Sequence, residues 1–107
     1  MAIEYDFSRI NPLVTSDADG SNEKTTMIEF TLRGSETVNG VTYEAYANHE
    51  IALSGDASVA PTGLDLGTLL NTYIADNNVK DEVIASISGQ KEVAHEWTGN
   101  LTAPSVS

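Results

Sequence analysis

Four consecutive residues, Val38-Asn39-Gly40-Val41, constrain this chain more than any others. Asn-Gly is the pair that best accepts the two positive φ angles of a type I′ turn, whose twist suits an antiparallel hairpin. With Asn39-Gly40 as a two-residue loop, Ile28 faces Ile51, Phe30 faces His49, Thr31 faces Asn48 and Leu32 faces Ala47. The apolar positions of both arms then share one face, an agreement that a one-residue slip would destroy. Glu29, Thr31, Arg33, Glu44, Tyr46, Asn48 and Glu50 fall on the other face, which is polar enough to meet water. The pattern predicts a hairpin over 26–33 and 41–53, with Gly34 as a bulge or weak point. Its apolar face needs a cover.

The rest of the chain supplies one more strand and that cover. Ile3, Tyr5 and Phe7 alternate with Glu4, Asp6 and Ser8, which is the period of a half-buried strand over residues 2–10. Asn11-Pro12 reads as its break, and Asp17 to Asn22 as a polar turn-rich loop. After a flexible stretch from Ser54 to Gly63, Leu66, Leu69, Leu70, Tyr73 and Ile74 lie on one helical face. Asp65 is placed as its N-cap, with Leu64 and Leu69 as a hydrophobic staple. Asn77-Asn78 interrupts, and Val79, Val83, Ile84 and Ile87 form a second helical stripe. Asp81 and Glu82 occupy its first turn, where the helix dipole favours them, and Gly89 is placed at its C′ position. Val93 and Trp97 lie four apart, as in a continuing helix. Thr98-Gly99-Asn100 ends that pattern, and Leu101 to Ser107 reads as extended. The expected fold is α+β: a three-stranded antiparallel β-meander with two C-terminal helices packed on one face. Residues 1–98 form the single expected domain and 99–107 an extended C-terminal arm.

Composition narrows the function classes. A chain of 107 residues holds one core, and its lack of Cys removes disulfides, thiolate nucleophiles and thiolate metal sites. The net charge of −11 repels phosphate backbones and anionic membranes. Arg9, Lys24, Arg33, Lys80 and Lys91 are too scattered to make a basic stripe, so neither nucleic acid nor membrane is an expected partner. No apolar run approaches the ~18 residues that span a bilayer, and the first residues lack the pattern of a cleaved export signal. A soluble protein is expected.

The sequence carries no recognisable catalytic, cofactor or metal site, and none is expected. Asp17-x-Asp19-Gly20-x-x-Glu23 has part of the pattern of a calcium loop but lacks the third alternate ligand and the distal Glu, so a solvated turn is expected. His49 falls inward opposite Phe30 and is expected to be structural. His95 is expected on the surface, and neither has a partner at metal-ligand spacing. Nucleophile-elbow and phosphate-loop motifs are missing. Among the aromatics, Tyr43 and Tyr73 lie on the predicted apolar faces, whereas Tyr46 and Trp97 have no predicted burial site. Tyr46, Trp97, Leu101 and Val106 are therefore the candidate interface residues.

Ile3-x-Tyr5-x-Phe7, Ile28-x-Phe30-x-Leu32 and Leu66-x-x-Leu69-Leu70, with the Asp-Gly loop and the Gly/Pro connection, give a layout that resembles small proteins encoded by tailed bacteriophages, particularly those of marine bacteria and cyanobacteria. The likeness covers roughly residues 3–90. It implies a non-enzymatic virion accessory protein, a capsid decoration or cement subunit ahead of a tail component, made in the host cytoplasm and residing in the virion. Its expected partners are other virion proteins and copies of itself. The resemblance carries over no functional residues. The alternative is a small acidic phage-encoded inhibitor that binds a host protein, with DNA mimicry as one route. A soluble calcium-binding module is a third reading.

Overall fold

The hairpin turns at Asn39-Gly40, with φ of 52° and 80° at the two positions, and its first arm is longer than the alternation alone suggests. The computed structural model describes residues 2–106; Met1, and Ser107 at the end of the expected arm, lie outside the described residues. Strand β2 spans Lys24–Val38 and β3 spans Val41–Ala52, paired from Met27–Ala52 to Val38–Val41 without a register shift. Phe30 sits opposite His49, Leu32 opposite Ala47 and Ile28 opposite Ile51, as the turn requires. Strand β1, Glu4–Thr15, pairs antiparallel with β2 to give the sheet order β1-β2-β3.

Two expectations about β1 and β2 are corrected. Asn11-Pro12 does not break the strand, because β1 is an edge. The two-residue loop makes Val38 and Val41 the hydrogen-bonded closing pair, and alternation from it turns Thr31, Glu29 and Met27 toward β1. Their partners Asn11 and Leu13 flank Pro12, whose missing N–H falls on the outer side, where the ladder needs no bond. A register shift at Ser8 also reverses the parity of β1. Beyond it Ile10 faces Phe30 and Pro12 faces Ile28, so the apolar face continues across the bulge. Gly34 is not a bulge: it pairs with Ala45 in regular register and is buried. It is a close-approach site, where a Cβ would collide with the Cγ1 of Val83 on the covering helix.

Helices α1, Leu66–Asp76, and α2, Val79–Lys91, cover one face of the sheet. Asp65 caps α1 by accepting hydrogen bonds from the Thr68 amide at 3.2 Å and its hydroxyl at 2.7 Å. Between the helices Asn78 takes the left-handed conformation, φ 51°, which lets the chain reverse in two residues. Leu70 and Ile74 of α1 and Val79, Val83 and Ile87 of α2 meet Ile28, Phe30, Leu32, Ala45 and Ala47 in one core. Leu64, Leu66, Leu69, Tyr43 and Tyr73 pack around it, half-buried. The α2 stripe is narrower than the sequence suggests: Val79, Val83 and Ile87 follow one i, i+4 row, and Ile84 is exposed beside it. Gly89 lies inside α2 rather than beyond its end, and the C-cap is Glu92. Two contacts hold that extra turn. Lys91 Nζ reaches the buried carboxylate of Glu36 at 2.5 Å, and the Gln90 side-chain amide donates to the Glu44 carbonyl at 2.7 Å.

Candidate interaction surfaces

The last regular element ends at Lys91, and residues 92–106 carry neither helix nor strand. Helix α2 therefore does not resume over Val93 and Trp97. Every one of these residues is exposed, and four of them are large and apolar: Val93 at 80% exposure, Trp97 at 63%, Leu101 at 83% and Val106 at 100%. The segment projects from the domain. The radius of gyration is 22.1 Å, against about 13 Å for a compact chain of this length, and the longest dimension is 78 Å. The Trp97 indole folds over Gly99, where a Cβ would strike the ring, but it finds no cover from the domain.

The uncovered face of the sheet is a second surface of different character. Arg33 binds Glu44 at 2.6 Å and Asp6 at 3.1 Å, so it bridges β1, β2 and β3 across the face. Tyr46 is 55% exposed and donates to Glu44 at 3.2 Å. These hydrogen bonds from Arg33 and Tyr46 hold the Glu44 carboxyl below its ordinary range. Arg9 and Asn11 both donate to Glu29, at 3.2 and 2.9 Å, and Thr31 donates to Asn48 at 2.5 Å. Three of its carboxylates, Asp6, Glu29 and Glu44, are thus each bridged by a guanidinium.

Of the four candidate interface residues, the structure brings Trp97, Leu101 and Val106 onto one segment and leaves Tyr46 on the open face of the sheet. Sequence reasoning missed Val93, because its spacing from Trp97 reads as helix; exposure at 80% places it with the others.

His49 and the 17–22 loop are engaged within the fold. His49 stacks on Phe30 with ring centroids 6.1 Å apart. Its Nδ1 is 3.1 Å from the Tyr73 hydroxyl and its Nε2 is 2.6 Å from Glu82, so one residue ties β3 to both helices. With both ring nitrogens bonded to protein, His49 has none left for a substrate or a metal. In the 17–22 loop Asn22 donates to Asp17 at 2.6 Å, and the Ser21 hydroxyl donates to Asp19 at 2.6 Å. The Ser21 hydroxyl and amide hold the Asp19 carboxyl below its ordinary range. Among the described residues, no group of three His, Asp or Glu side chains is placed to hold a metal ion, and no helix is long and apolar enough to cross a membrane.

No protein-family model, curated protein or solved structure matches this chain.

Proposed function

We propose that this protein is a non-enzymatic virion accessory protein of a tailed phage, a capsid decoration or cement subunit that acts through protein contacts. The observation that carries the reading is the exposed segment 92–106, with Val93, Trp97, Leu101 and Val106 held away from a folded domain. A segment of this composition cannot offset about 1–2 kcal/mol of backbone entropy per residue by itself, so a partner surface is what orders it. The domain is rigid in the sense that matters for a cement subunit: one core, both helices pinned to the sheet through His49, and α2 tied at its end through Lys91 and Gln90.

Protein contact is favoured over DNA mimicry by the open face. Mimicry needs free carboxylates in regular rows, whereas Asp6 and Glu44 share Arg33 and Glu29 is held by Arg9. The test is quantitative mass spectrometry of purified particles. A cement subunit is present at many copies per particle; its absence from washed particles, with the protein abundant in infected-cell lysate, would refute the reading.

A further inference from the structure

Resting on that reading of the arm, we infer that its acceptor is a second copy of this chain: residues 93–103 add as a fourth strand along the free edge of β3. The two edges of the sheet are not equivalent. Edge β1 is blunted by the bulge at Ser8, by Pro12 and by a second register shift near Val14. Edge β3 is a 12-residue run with no Pro, no Gly and no register shift. Alternation from the Val38–Val41 closing pair turns the N–H and C=O groups of Thr42, Glu44, Tyr46, Asn48 and Glu50 outward along it. Among the described residues only the Glu44 carbonyl gains a partner there, from Gln90.

The arm has the pattern such an edge accepts. Read as a strand, its odd positions are Val93, His95, Trp97, Gly99, Leu101 and Ala103, and the alternating even ones are Ala94, Glu96, Thr98, Asn100 and Thr102. That is an apolar face backed by a polar one over some ten residues, about the length of β3. Added to β3, the apolar face continues the row of Tyr43, Ala45, Ala47, His49 and Ile51 under the helices. On that side a cleft opens between α1 and the far end of β3, lined by Ile51, Leu69, Thr72 and Tyr73, and it receives Trp97.

The acceptor lies on another copy because of where the arm leaves. Lys91 at Glu36 and Gln90 at Glu44 place the end of α2 toward the hairpin turn. To lie on its own β3 the chain would have to reverse at that point, yet residues 92–106 are exposed throughout. Arm and acceptor edge are different surfaces, so the contact is head-to-tail and propagates to a ring or a chain of subunits. Because each copy carries a net charge of −11, salt strengthens this association, whereas it weakens binding to a basic partner.

The test uses the full chain and two complementary variants. Trp97 is the sole tryptophan, so its emission reports the arm directly. Full-length protein should self-associate in sedimentation as concentration and salt rise, with a blue shift of Trp97 emission. The outward amides of Tyr46, Asn48 and Glu50 should gain exchange protection in step. Deleting residues 92–107 should abolish association and that protection. Glu50→Pro, which removes an outward N–H and no side-chain bond, should also stay monomeric, while an equimolar mixture of the two variants forms a one-to-one complex. If Glu50→Pro fails to fold, as circular dichroism would reveal, the amide protection in full-length against truncated protein decides alone. Full-length protein that stays monomeric, or a truncated form that associates as before, overturns the inference. If it is monomeric but truncation still removes the protein from particles, another virion protein is the acceptor and only the self-pairing fails. If truncation leaves particle incorporation unchanged, the function of the arm fails as well.

Discussion

Replacing Gly34 with alanine tests how α2 sits on the sheet. A methyl built there runs into the Cγ1 of Val83, with Ile3 Cγ2 at 3.1 Å and Tyr5 Cε1 at 3.4 Å behind it. Val83 is fully buried, so it has no solvent side to move into. Overpacking of this kind costs about 1–3 kcal/mol. Relief from glycine's backbone entropy returns roughly 0.5–1 kcal/mol, so a net destabilisation of up to about 2.5 kcal/mol is expected. Val83→Ala alone removes two methylene equivalents at ~0.8 kcal/mol each, plus a cavity term. In the double variant the new methyl fills space that Val83 vacated, and the two costs should fail to add by about 1–2 kcal/mol. Urea unfolding followed by far-ultraviolet circular dichroism measures all three, with unchanged slope as the sign that only stability moved. Trp97 fluorescence is the wrong probe of core unfolding, because the indole lies on the arm. Gly34→Ala that stabilises the protein, or a cycle that is simply additive, would refute the packing of α2 over Gly34.

Leu70, 1% exposed at the centre of the core, should cost roughly 2–5 kcal/mol on replacement by alanine; a loss below about 1 kcal/mol in urea melts would place α1 elsewhere. The Asp65 carboxyl is held below its ordinary value by the Thr68 hydroxyl and amide. Its folded value is depressed, so its stabilisation is present above the unfolded value of 3.8 and lost as pH falls through the lower folded one. Asp65→Asn should therefore flatten the fall of Tm with acid in that window, and an unchanged acid limb contradicts the cap. Millimolar calcium should leave Tm unchanged, because Asp17 and Asp19 are occupied by Asn22 and Ser21; a site filled at 100 times its dissociation constant would add about 2.7 kcal/mol, an upshift that calorimetry detects.

How far the sequence reaches can be judged residue by residue. Asn39-Gly40 carried the β2–β3 register because a two-residue loop and two coinciding apolar faces leave one pairing that buries both. Asp65 carried the start of α1 for a similarly local reason. Pro12 misled, since a missing N–H is a break only where the ladder needs that N–H, and whether a strand is an edge is a property of the whole sheet. The parity change at Ser8 was hidden because alternation before and after the bulge belongs to different phases. Gly89 reads as a helix end, but the helix is prolonged by Lys91–Glu36 and Gln90–Glu44, contacts across 55 and 46 residues that no local pattern encodes. Trp97, Leu101 and Val106 were legible as interface candidates because nothing nearby in sequence offered them a place to bury. Val93 was not, because one apolar residue four before another has two readings.

If the folded domain ends with α2, the segment beyond Lys91 is free to serve a partner. Deleting residues 92–107 and measuring both the Tm of the isolated protein and its copy number in purified particles tests this most directly. The expected result is a Tm unchanged within experimental error, since no side chain described in the segment is buried, together with loss of the protein from particles. A truncated protein that unfolds, or one that keeps its stability and still loads particles at the full copy number, would contradict it.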